Sequence, residues 1–476
     1  MSIERRSSWF IGLCCAALTW GGAAYAQAPT APQAEINMTL DQARNIGVAA
    51  LEQGNPTLTL QIGYGLLQAD PNDAFAHYLI ASAFRQQARP AAARRAAALA
   101  YRHAETTSEK FQAAQLAARI SVEEQRFTRA QVWLRRSLIH APDPAFLPRI
   151  EEDYRRVRAL DPLQLRFSFS LAPSSNVNNG SDSPYALIEG VPVIGIFDGL
   201  SQALSGVTAA ADLALGYRLH RTQSSETRAL ARLYSSRVWL DDSSLALANS
   251  FPGADVSNED FAFSSVEAGL RHAVRPGGMD GRGLISADLV AGRSWYGGSP
   301  YQRFGRLGLS GGLSLTPATT LSVGAEIERR SFETSANRPI ESLALRGTLA
   351  HGLDNGDRIS LSLSWRDSQS DSRNAVNTRT AAYLQYAMAA PVGPARLSFA
   401  LGAATSDFPD YAVGFIVVPG GRLDETVFGS VEMLFEAFDY AGFVPSMAVR
   451  AQKTRSNVSR FEASEIAVSF GVRSRF

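Results

Sequence analysis

The sequence is short of the residues on which many functional sites depend. Its two cysteines, Cys14 and Cys15, both lie among the first 26 residues. The rest of the chain therefore offers no thiolate for a disulfide, a metal site, a nucleophile or a lipid anchor. Lysine occurs only at Lys110 and Lys453, and 46 basic residues face 45 acidic ones, for a formal net charge of +1. This balance gives no indication of a nucleic-acid-binding surface.

Long hydrophobic runs are also scarce. The first runs from Trp9 to Trp20, after an arginine pair and before Ala24-Tyr25-Ala26. This is the arrangement of a secretory signal peptide with an A-x-A cleavage site, so we predict a signal peptide over residues 1–26 and a linker over 27–37. Downstream, no run approaches the roughly 20 apolar residues of a transmembrane helix. Any membrane-spanning part must then be a closed barrel, since unpaired backbone groups are too costly in lipid.

Patterns typical of catalysis and of metal binding are missing as well. The six histidines stand singly, without a partner at ligand spacing; they are His77, His103, His140, His220, His272 and His351. The segment 308–312 matches G-x-S-x-G in form, but it lies inside an alternating strand and not at a strand-to-helix elbow. No phosphate-binding loop of the G-x-x-x-x-G-K-[ST] type occurs. We predict no enzymatic activity, metal or cofactor; an outer-membrane lipase that uses Ser310 and His351 is a weak alternative.

Residues 38–160 are rich in Ala, Leu, Gln and Arg and follow a helical period. Pro56 and Pro90 each open a second helix, and they stand 34 residues apart, which is the tetratricopeptide period. We predict a periplasmic domain of three degenerate repeats, whose stacking exposes a concave face for a peptide or partner. The alternative is an Ala-rich bundle that only plugs or props the barrel.

Residues 161–476 change to a period of two. Leu165, Phe167, Phe169 and Leu171 alternate with polar residues, and similar segments recur to the end of the chain. They predict an antiparallel transmembrane β-barrel of about 14 strands in the outer membrane, so that the fold class is α plus membrane β. Long loops are expected at 241–260 and 367–378, and four aromatic residues are expected near strand ends: Trp239, Trp295, Tyr296 and Tyr383. A soluble sandwich is the disfavoured alternative.

Charged residues on the polar phase of the strands should face the lumen, where they are solvated and set selectivity. The candidates are Glu267, Asp288, Glu326, Glu328 and Arg366. Because they mix both signs, we expect no stripe of a single charge. The last strand alternates in a way that resembles the signal read by the barrel assembly machinery, through Val468, Phe470, Val472 and the aromatic Phe476.

Two motifs resemble those of the surface lipoprotein assembly modifiers. The first is an Asn-rich segment after the first strand, with Asn176, Asn178 and Asn179; the second is near the end, with Ser456, Asn457 and Gly471. The resemblance implies an outer-membrane translocon that helps a client surface lipoprotein or secreted protein to reach the cell surface. It implies no cofactor.

The mechanism expected from this resemblance has two parts. The helical domain would receive the client in the periplasm, and the barrel would pass it through a lumen or through a seam between the strands at Gln164 to Ala172 and Glu465 to Phe476. Outer-membrane lipids would surround the barrel. The alternative function is an exporter of polysaccharide or small solutes, which also combines such repeats with a barrel.

Overall fold

The computed structural model describes residues 38–278, 281–333 and 338–474, without the side chain of Val193. The predicted signal peptide, the predicted linker and Phe476 lie outside the described residues. The described chain forms a helical domain followed by a closed antiparallel barrel of fourteen strands. Both parts of the predicted fold class are therefore confirmed.

The helical domain has seven α-helices joined by short connections. Pro56 and Pro90 open α2 and α4 as predicted. Thr39 and Thr106 close capping boxes at the starts of α1 and α5, each worth about 1 kcal/mol to its helix. The helices are α1 Leu40–Glu52, α2 Pro56–Ala69, α3 Ala74–Gln86, α4 Pro90–His103, α5 Thr107–Glu123, α6 Phe127–Ile139 and α7 Leu147–Leu160.

Alanine forms much of the helical core. Ala81, Ala97, Ala114 and Ala117 are fully buried, and the larger Ile120 is buried among them. Small side chains allow successive helices to approach closely, so each helix packs on the next along the chain. The result is three stacked helix pairs and a final helix, α7, which leads into the barrel.

The chain contains eighteen strands in its described part, fourteen of them in the barrel. The barrel strands are β1 Leu163–Ser174, β4 Gly206–Arg221, β5 Ser225–Leu240, β6 Phe263–Val274, β7 Gly283–Tyr296, β8 Ser299–Ser314, β9 Thr319–Phe332, β10 Ile340–Gly352, β11 Arg358–Ser370, β12 Asn377–Ala387, β13 Arg396–Phe408, β16 Arg422–Leu434, β17 Phe443–Ser456 and β18 Ala463–Ser474. Two loop hairpins complete the set: β2 Tyr185–Ile188 with β3 Val191–Ile196, and β14 Ala412–Val413 with β15 Ile416–Val417.

The two ends of the barrel differ. At the end where β1 begins and β18 finishes, the connections are mostly tight turns; we call this end the turn rim. The opposite end carries the long segments 175–205, 241–262 and 409–421, and we call it the loop rim. The helical domain joins the barrel at the turn rim, because α7 is followed directly by β1.

The outer wall is apolar. In register, Phe167 lies opposite Leu213, which lies opposite Leu233, and Leu289 lies opposite Leu307. All of these side chains except the half-buried Leu213 are exposed, Phe167 to 62%. Leaving such a belt in water forfeits about 25 cal/mol for each Å² of apolar surface, so the wall requires a hydrocarbon environment.

Two local expectations were wrong. Tyr383 lies in the middle of β12, where it stacks on Phe428 with ring centroids 6.0 Å apart. The predicted loop at 367–378 is shorter, because β11 continues to Ser370 and β12 begins at Asn377. Polar side chains on the lumen phase of a wide barrel do not end a strand, so polarity alone places the loop boundary badly.

Candidate functional site

The junction between the first and last strands is unevenly paired. On its other side β1 pairs with β4 along its whole length, from Leu163 to Ser174. With β18, its register consists of Ser170 with Gly471, Leu171 with Phe470, and Ser174 with Ala467. The part of β1 nearest the turn rim, residues 163–169, has no register partner among the described residues of β18. Among the described residues, the register pairs of this β1–β18 junction, which we call the seam, lie in the half of β1 nearest the loop rim.

At the loop rim the seam is held by hydrogen bonds from both side chains and backbone. The Oγ of Ser175 accepts a hydrogen bond from the Ile466 amide at 3.0 Å, and the Ser175 amide donates to the Ile466 carbonyl at 3.0 Å. Asp182 accepts from both the amide and the hydroxyl of Ser464, at 2.8 and 2.5 Å. Each such bond contributes roughly 1 kcal/mol, and more with an ionised partner.

Asn176 shapes the segment that carries these contacts. Its Oδ1 accepts from the Gly180 amide at 2.8 Å, and its Nδ2 donates to the Gly180 carbonyl at 2.9 Å and to the Ser464 carbonyl at 3.3 Å. The side chain is only 4% exposed. One buried amide thus closes its own turn and reaches across the seam, which neither aspartate nor leucine can do.

Asn178 fastens the same segment to residues further along the loop. Its Nδ2 donates to the carbonyls of Leu200 and Gln202, and its Oδ1 accepts from the Leu204 amide, all within 2.9 Å. Asn179 adopts a left-handed conformation with φ of 52°, which asparagine tolerates better than most residues. At Gly180 an added Cβ would lie 2.0 Å from the Gln202 carbonyl oxygen, so glycine is required.

The second motif meets the first at the loop rim. Asn457 accepts from the Leu423 amide at 2.9 Å and donates to the Gly421 carbonyl at 2.8 Å, while its own carbonyl receives the Glu189 amide at 2.9 Å. The Ser459 carbonyl accepts from the Ser181 hydroxyl at 2.7 Å. Ser456 accepts from the Val458 amide and shapes the turn between them. We call residues 174–182 with 456–466 the seam clasp.

An arginine stack extends the seam clasp to the neighbouring loop. The guanidinium of Arg422 lies between two rings, 3.4 Å from the Phe461 centroid and 3.8 Å from the Phe408 centroid, and it pairs with Asp424 at 2.7 Å. Tyr411 meets both rings edge-on. A largely buried arginine held in this way is worth about 2 kcal/mol or more, so the loops at 409–421 and 457–462 form one unit.

Gly471 lies where the two seam strands approach closely. An added Cβ at this position would lie 3.1 Å from the Phe169 carbonyl oxygen in β1 and 3.4 Å from the Ser446 hydroxyl in β17. Phe470 and Val472, on either side, are half exposed on the outer wall, and Val468 lies opposite Val449. Those three members of the predicted assembly signal alternate as expected for a wall strand.

The helical domain contacts the last two strands at the turn rim. Arg135 in α6 donates to the Ala441 carbonyl at 2.7 Å and to the Ser474 hydroxyl at 2.8 Å. Its guanidinium also lies 4.3 Å from the Phe443 ring centroid and 4.8 Å from that of Tyr154. One side chain therefore joins α6 and α7 to the ends of β17 and β18.

The helical domain also contacts the first two barrel strands. The carboxylate of the buried Asp161 accepts from Thr128 and Gln131 in α6, at 2.8 and 2.6 Å, and from the Leu163 amide in β1 at 2.9 Å. Arg218 in β4 donates to the carbonyls of Ala159 and Leu160 at the end of α7. The domain thus contacts the barrel on both sides of the seam.

The predicted lumen residues lie on the inner phase of their strands and form ion pairs. Arg366 lies 3.4 Å from Glu326 and 3.6 Å from Glu328, measured between nitrogen and oxygen. Glu267 binds Arg306 at 2.5 Å, and Asp288 binds Arg271. On the wall formed by β4, β5 and β6 the register aligns Arg218, Arg228 and Arg271 in one row. The same wall carries three acidic residues that pair with its arginines: Asp212, Glu226 and Glu267.

The residues considered for catalysis and metal binding do not come together in one site. Ser310 lies inside β8 and meets the Ser286 hydroxyl at 2.8 Å. His351 lies two strands away from Ser310, in β10, and its Nδ1 meets the Thr319 hydroxyl of β9 at 2.8 Å. Within the described residues, no group of three or more His, Cys, Asp or Glu side chains is placed to hold a metal ion. Burial lowers the pKa of His77 and of His140 in the helical domain. No helix in the described part has the length and apolar character needed to cross a membrane.

The fold and the site define a two-part protein, in which a tetratricopeptide-like helical domain contacts both sides of the seam in a 14-strand membrane β-barrel. No protein-family model matches the chain, and no curated protein matches it. Among solved structures, the type III secretion translocator chaperone SycD of Yersinia enterocolitica is 12% identical; the match covers 26% of this chain and 88% of SycD, with a TM-score of 0.24. A loop-deletion mutant of OmpT, an outer membrane protein of Vibrio cholerae, is 8% identical over 66% of this chain and 99% of its own, with a TM-score of 0.33. OccAB3 of Acinetobacter baumannii is 9% identical over 65% and 98%, with a TM-score of 0.35.

Proposed function

We propose that this chain is an outer-membrane translocon that moves a client surface lipoprotein or secreted protein to the cell surface. The observation that carries the proposal is the position of the helical domain, which contacts β17 and β18 through Arg135 and β1 and β4 through Asp161 and Arg218. A client held by the helical repeats is thereby brought to the turn-rim end of the seam, where the described residues of β1 and β18 form no register pairs.

The two rims support an orientation for the chain. In outer-membrane barrels short turns face the periplasm and long loops face outward, which favours a helical domain in the periplasm and a seam clasp at the cell surface. The Asn-rich motif and two residues of the closing motif, Ser456 and Asn457, belong to this clasp, which supports the resemblance to surface lipoprotein assembly modifiers. Client folding outside the cell would supply the driving force, and the barrel assembly machinery would insert the chain.

A disulfide across the seam tests the route. Ser170→Cys with Gly471→Cys places two cysteines at register partners of β1 and β18. The matched control, Thr348→Cys with Ser362→Cys, locks the well-paired junction of β10 with β11. The predicted mature chain has no cysteine of its own to interfere.

The readout is the surface proteome of intact cells shaved with protease, compared with total protein. We expect at least one protein to leave the shaved fraction, while its total level persists, in cells that lack this chain or carry the oxidised seam lock. The same protein should remain in the shaved fraction when the seam disulfide is reduced, and also when the control disulfide is present. If deletion changes no surface protein, the translocon proposal fails.

Export of polysaccharide or small solutes is the second candidate. The observation in its favour is the arginine row on the lumen wall, which suits the passage of acidic solutes better than that of a mixed polypeptide. A deletion strain that loses an acidic surface polymer or fails to release a solute, with an unchanged surface proteome, would establish this function instead.

A further inference from the structure

A cavity of about 310 Å³ lies where α7 meets the lumen wall. Six arginines and a single acidic residue, Glu267, line it. Arg158 comes from α7, and the others come from β1, β5, β6 and β8: Arg166, Arg228, Arg232, Arg271 and Arg306. We call this cavity the arginine basin.

The strand register places arginines directly opposite one another in the wall that forms the basin. Arg228 lies directly opposite Arg218 in β4 and directly opposite Arg271 in β6. Like charges at directly opposed positions of a sheet destabilise it. A row of three arginines across three neighbouring strands is therefore a feature that folding does not favour by itself.

The acidic side chains around the basin form ion pairs with arginines of this wall. Glu226 pairs with Arg228 and lies 3.8 Å from Arg218, Asp212 binds Arg232 at 2.7 Å, and Asp288 binds Arg271. Glu267 is shared between Arg306 at 2.5 Å and Arg232 at 3.9 Å.

These carboxylates do not account for all the positive charge. Arg158 and Arg166 have no ion-pair partner within the described residues, and neither has a hydrogen bond to another side chain there. The Nη1 of Arg228 is buried without a hydrogen-bond partner, so Glu226 leaves this guanidinium incompletely satisfied. The basin therefore holds an excess of guanidinium donors around a space that a small molecule can enter.

We propose that the arginine basin is a binding site for small multivalent oxyanions, either phosphates or polycarboxylates. Guanidinium groups present paired N–H donors that match phosphate and carboxylate oxygens, and the cavity has the size of a small-solute site. A bound anion would contact Arg158 of α7 and Arg228 of β5 together, and would link the helical domain to the wall. This proposal does not depend on whether the barrel transports proteins or solutes.

Calorimetric titration of the full-length protein in detergent tests the site, with pyrophosphate and citrate as separate probes. The basin variant is Arg228→Gln with Arg271→Gln. The matched control is Arg346→Gln with Arg450→Gln, which removes two inward-facing arginines elsewhere in the lumen; neither of them has an ion-pair partner in the described part of the chain. Arg228→Lys with Arg271→Lys keeps the charge but removes the paired donors. Heat-dependent gel mobility confirms that each barrel is folded.

We expect the wild type to bind at least one probe, the glutamine variant to bind it about tenfold or more weakly, the lysine variant to lie between them, and the control to stay within about threefold of wild type. Binding of pyrophosphate alone identifies a phosphate site, and binding of citrate alone identifies a carboxylate site. The proposal is overturned if the wild type binds neither probe, or if the control loses affinity as much as the basin variant.

Discussion

The guanidinium of Arg135 donates a hydrogen bond of 2.8 Å to the Oγ of Ser474, which joins the sixth helix of the helical domain to the end of the last barrel strand. The two residues are 339 positions apart in the chain. Because Ser474 ends β18, the strand that closes the barrel against β1, this bond couples α6 directly to the closing strand. The seam is thus held at the loop rim by the seam clasp, while the helical domain contacts the strands on both sides of it at the turn rim.

Replacing Arg135 should loosen the helical domain from the barrel. Arg135→Ala removes two hydrogen bonds to the barrel and the contact with the Phe443 ring, which together contribute about 2–4 kcal/mol to docking. It also removes the hydrogen bond and the ring contact with Tyr154 inside the helical domain. We expect faster hydrogen exchange of the amides at 439–443. Arg155→Ala, which removes an exposed pair with Glu151 on α7, is the control and should leave that turn unchanged. Equal exchange in both variants would contradict the docking role of Arg135.

The seam clasp should open when Asn178 loses its donor group. Asn178→Asp places a carboxylate against the carbonyls of Leu200 and Gln202, at a cost of about 1–3 kcal/mol for each lost bond. The loop that contains Tyr185 and Phe197 should then be cut by chymotrypsin about tenfold faster. Asn374→Asp is the matched control, because Asn374 fastens Ala412 in another loop through the same two kinds of bond. A loop cut no faster than in this control would rule out the role of Asn178.

The overall fold could be predicted because the period of the apolar residues indicates which segments are helices and which are strands. Leu165 to Leu171 alternate because one side of a barrel wall faces lipid, and Pro56 and Pro90 mark helix starts because proline fits the first turn of a helix. These signals are local. They need no knowledge of which strand lies beside which.

The seam clasp and the arginine basin were beyond such reasoning. The bond from Ser181 to Ser459 joins residues 278 positions apart, and the row of Arg218, Arg228 and Arg271 exists only in one strand register. A shift of one residue would turn those arginines toward lipid. The asparagines of the first motif were identified by resemblance. Their hydrogen bonds depend on the conformation of the loop that follows β1, which composition does not predict.

Filling the space at Gly471 should weaken the seam. Gly471→Val brings a branched side chain against the Phe169 carbonyl and the Ser446 hydroxyl, and overpacking of this kind costs about 1–3 kcal/mol. The thermal midpoint of the barrel, followed by gel mobility, should fall. Gly347→Val is the control in β10, where an added Cβ meets nothing within 4 Å. A fall of equal size in both variants would show that replacing any strand glycine destabilises the barrel, and that the seam has no special role.

The helical domain contains two histidines that make its stability depend on pH. His77 is buried, stacks on His103 with centroids 5.5 Å apart, and its Nε2 lies 3.2 Å from the Pro71 carbonyl. Burial lowers its pKa, with His103 acting in the same direction, whereas the Pro71 carbonyl, Asp73 and Asp70 act in the opposite direction. Burial likewise lowers the pKa of His140, whose Nε2 meets the Tyr101 hydroxyl at 3.0 Å.

Acidification should therefore destabilise the helical domain. A histidine whose pKa is lower in the folded than in the unfolded state binds more protons when unfolded, so its stabilising contribution is complete above about pH 6.5 and is lost as the pH falls through the folded pKa. We expect the thermal midpoint of helical circular dichroism to fall between about pH 7.5 and pH 5, and to fall less in His77→Gln. Adding His140→Gln should flatten the profile further, while His220→Gln, in the barrel strand β4, should leave the wild-type slope. An unchanged slope in the double variant would assign the acid sensitivity to other groups, since these two are the histidines whose burial sets its direction.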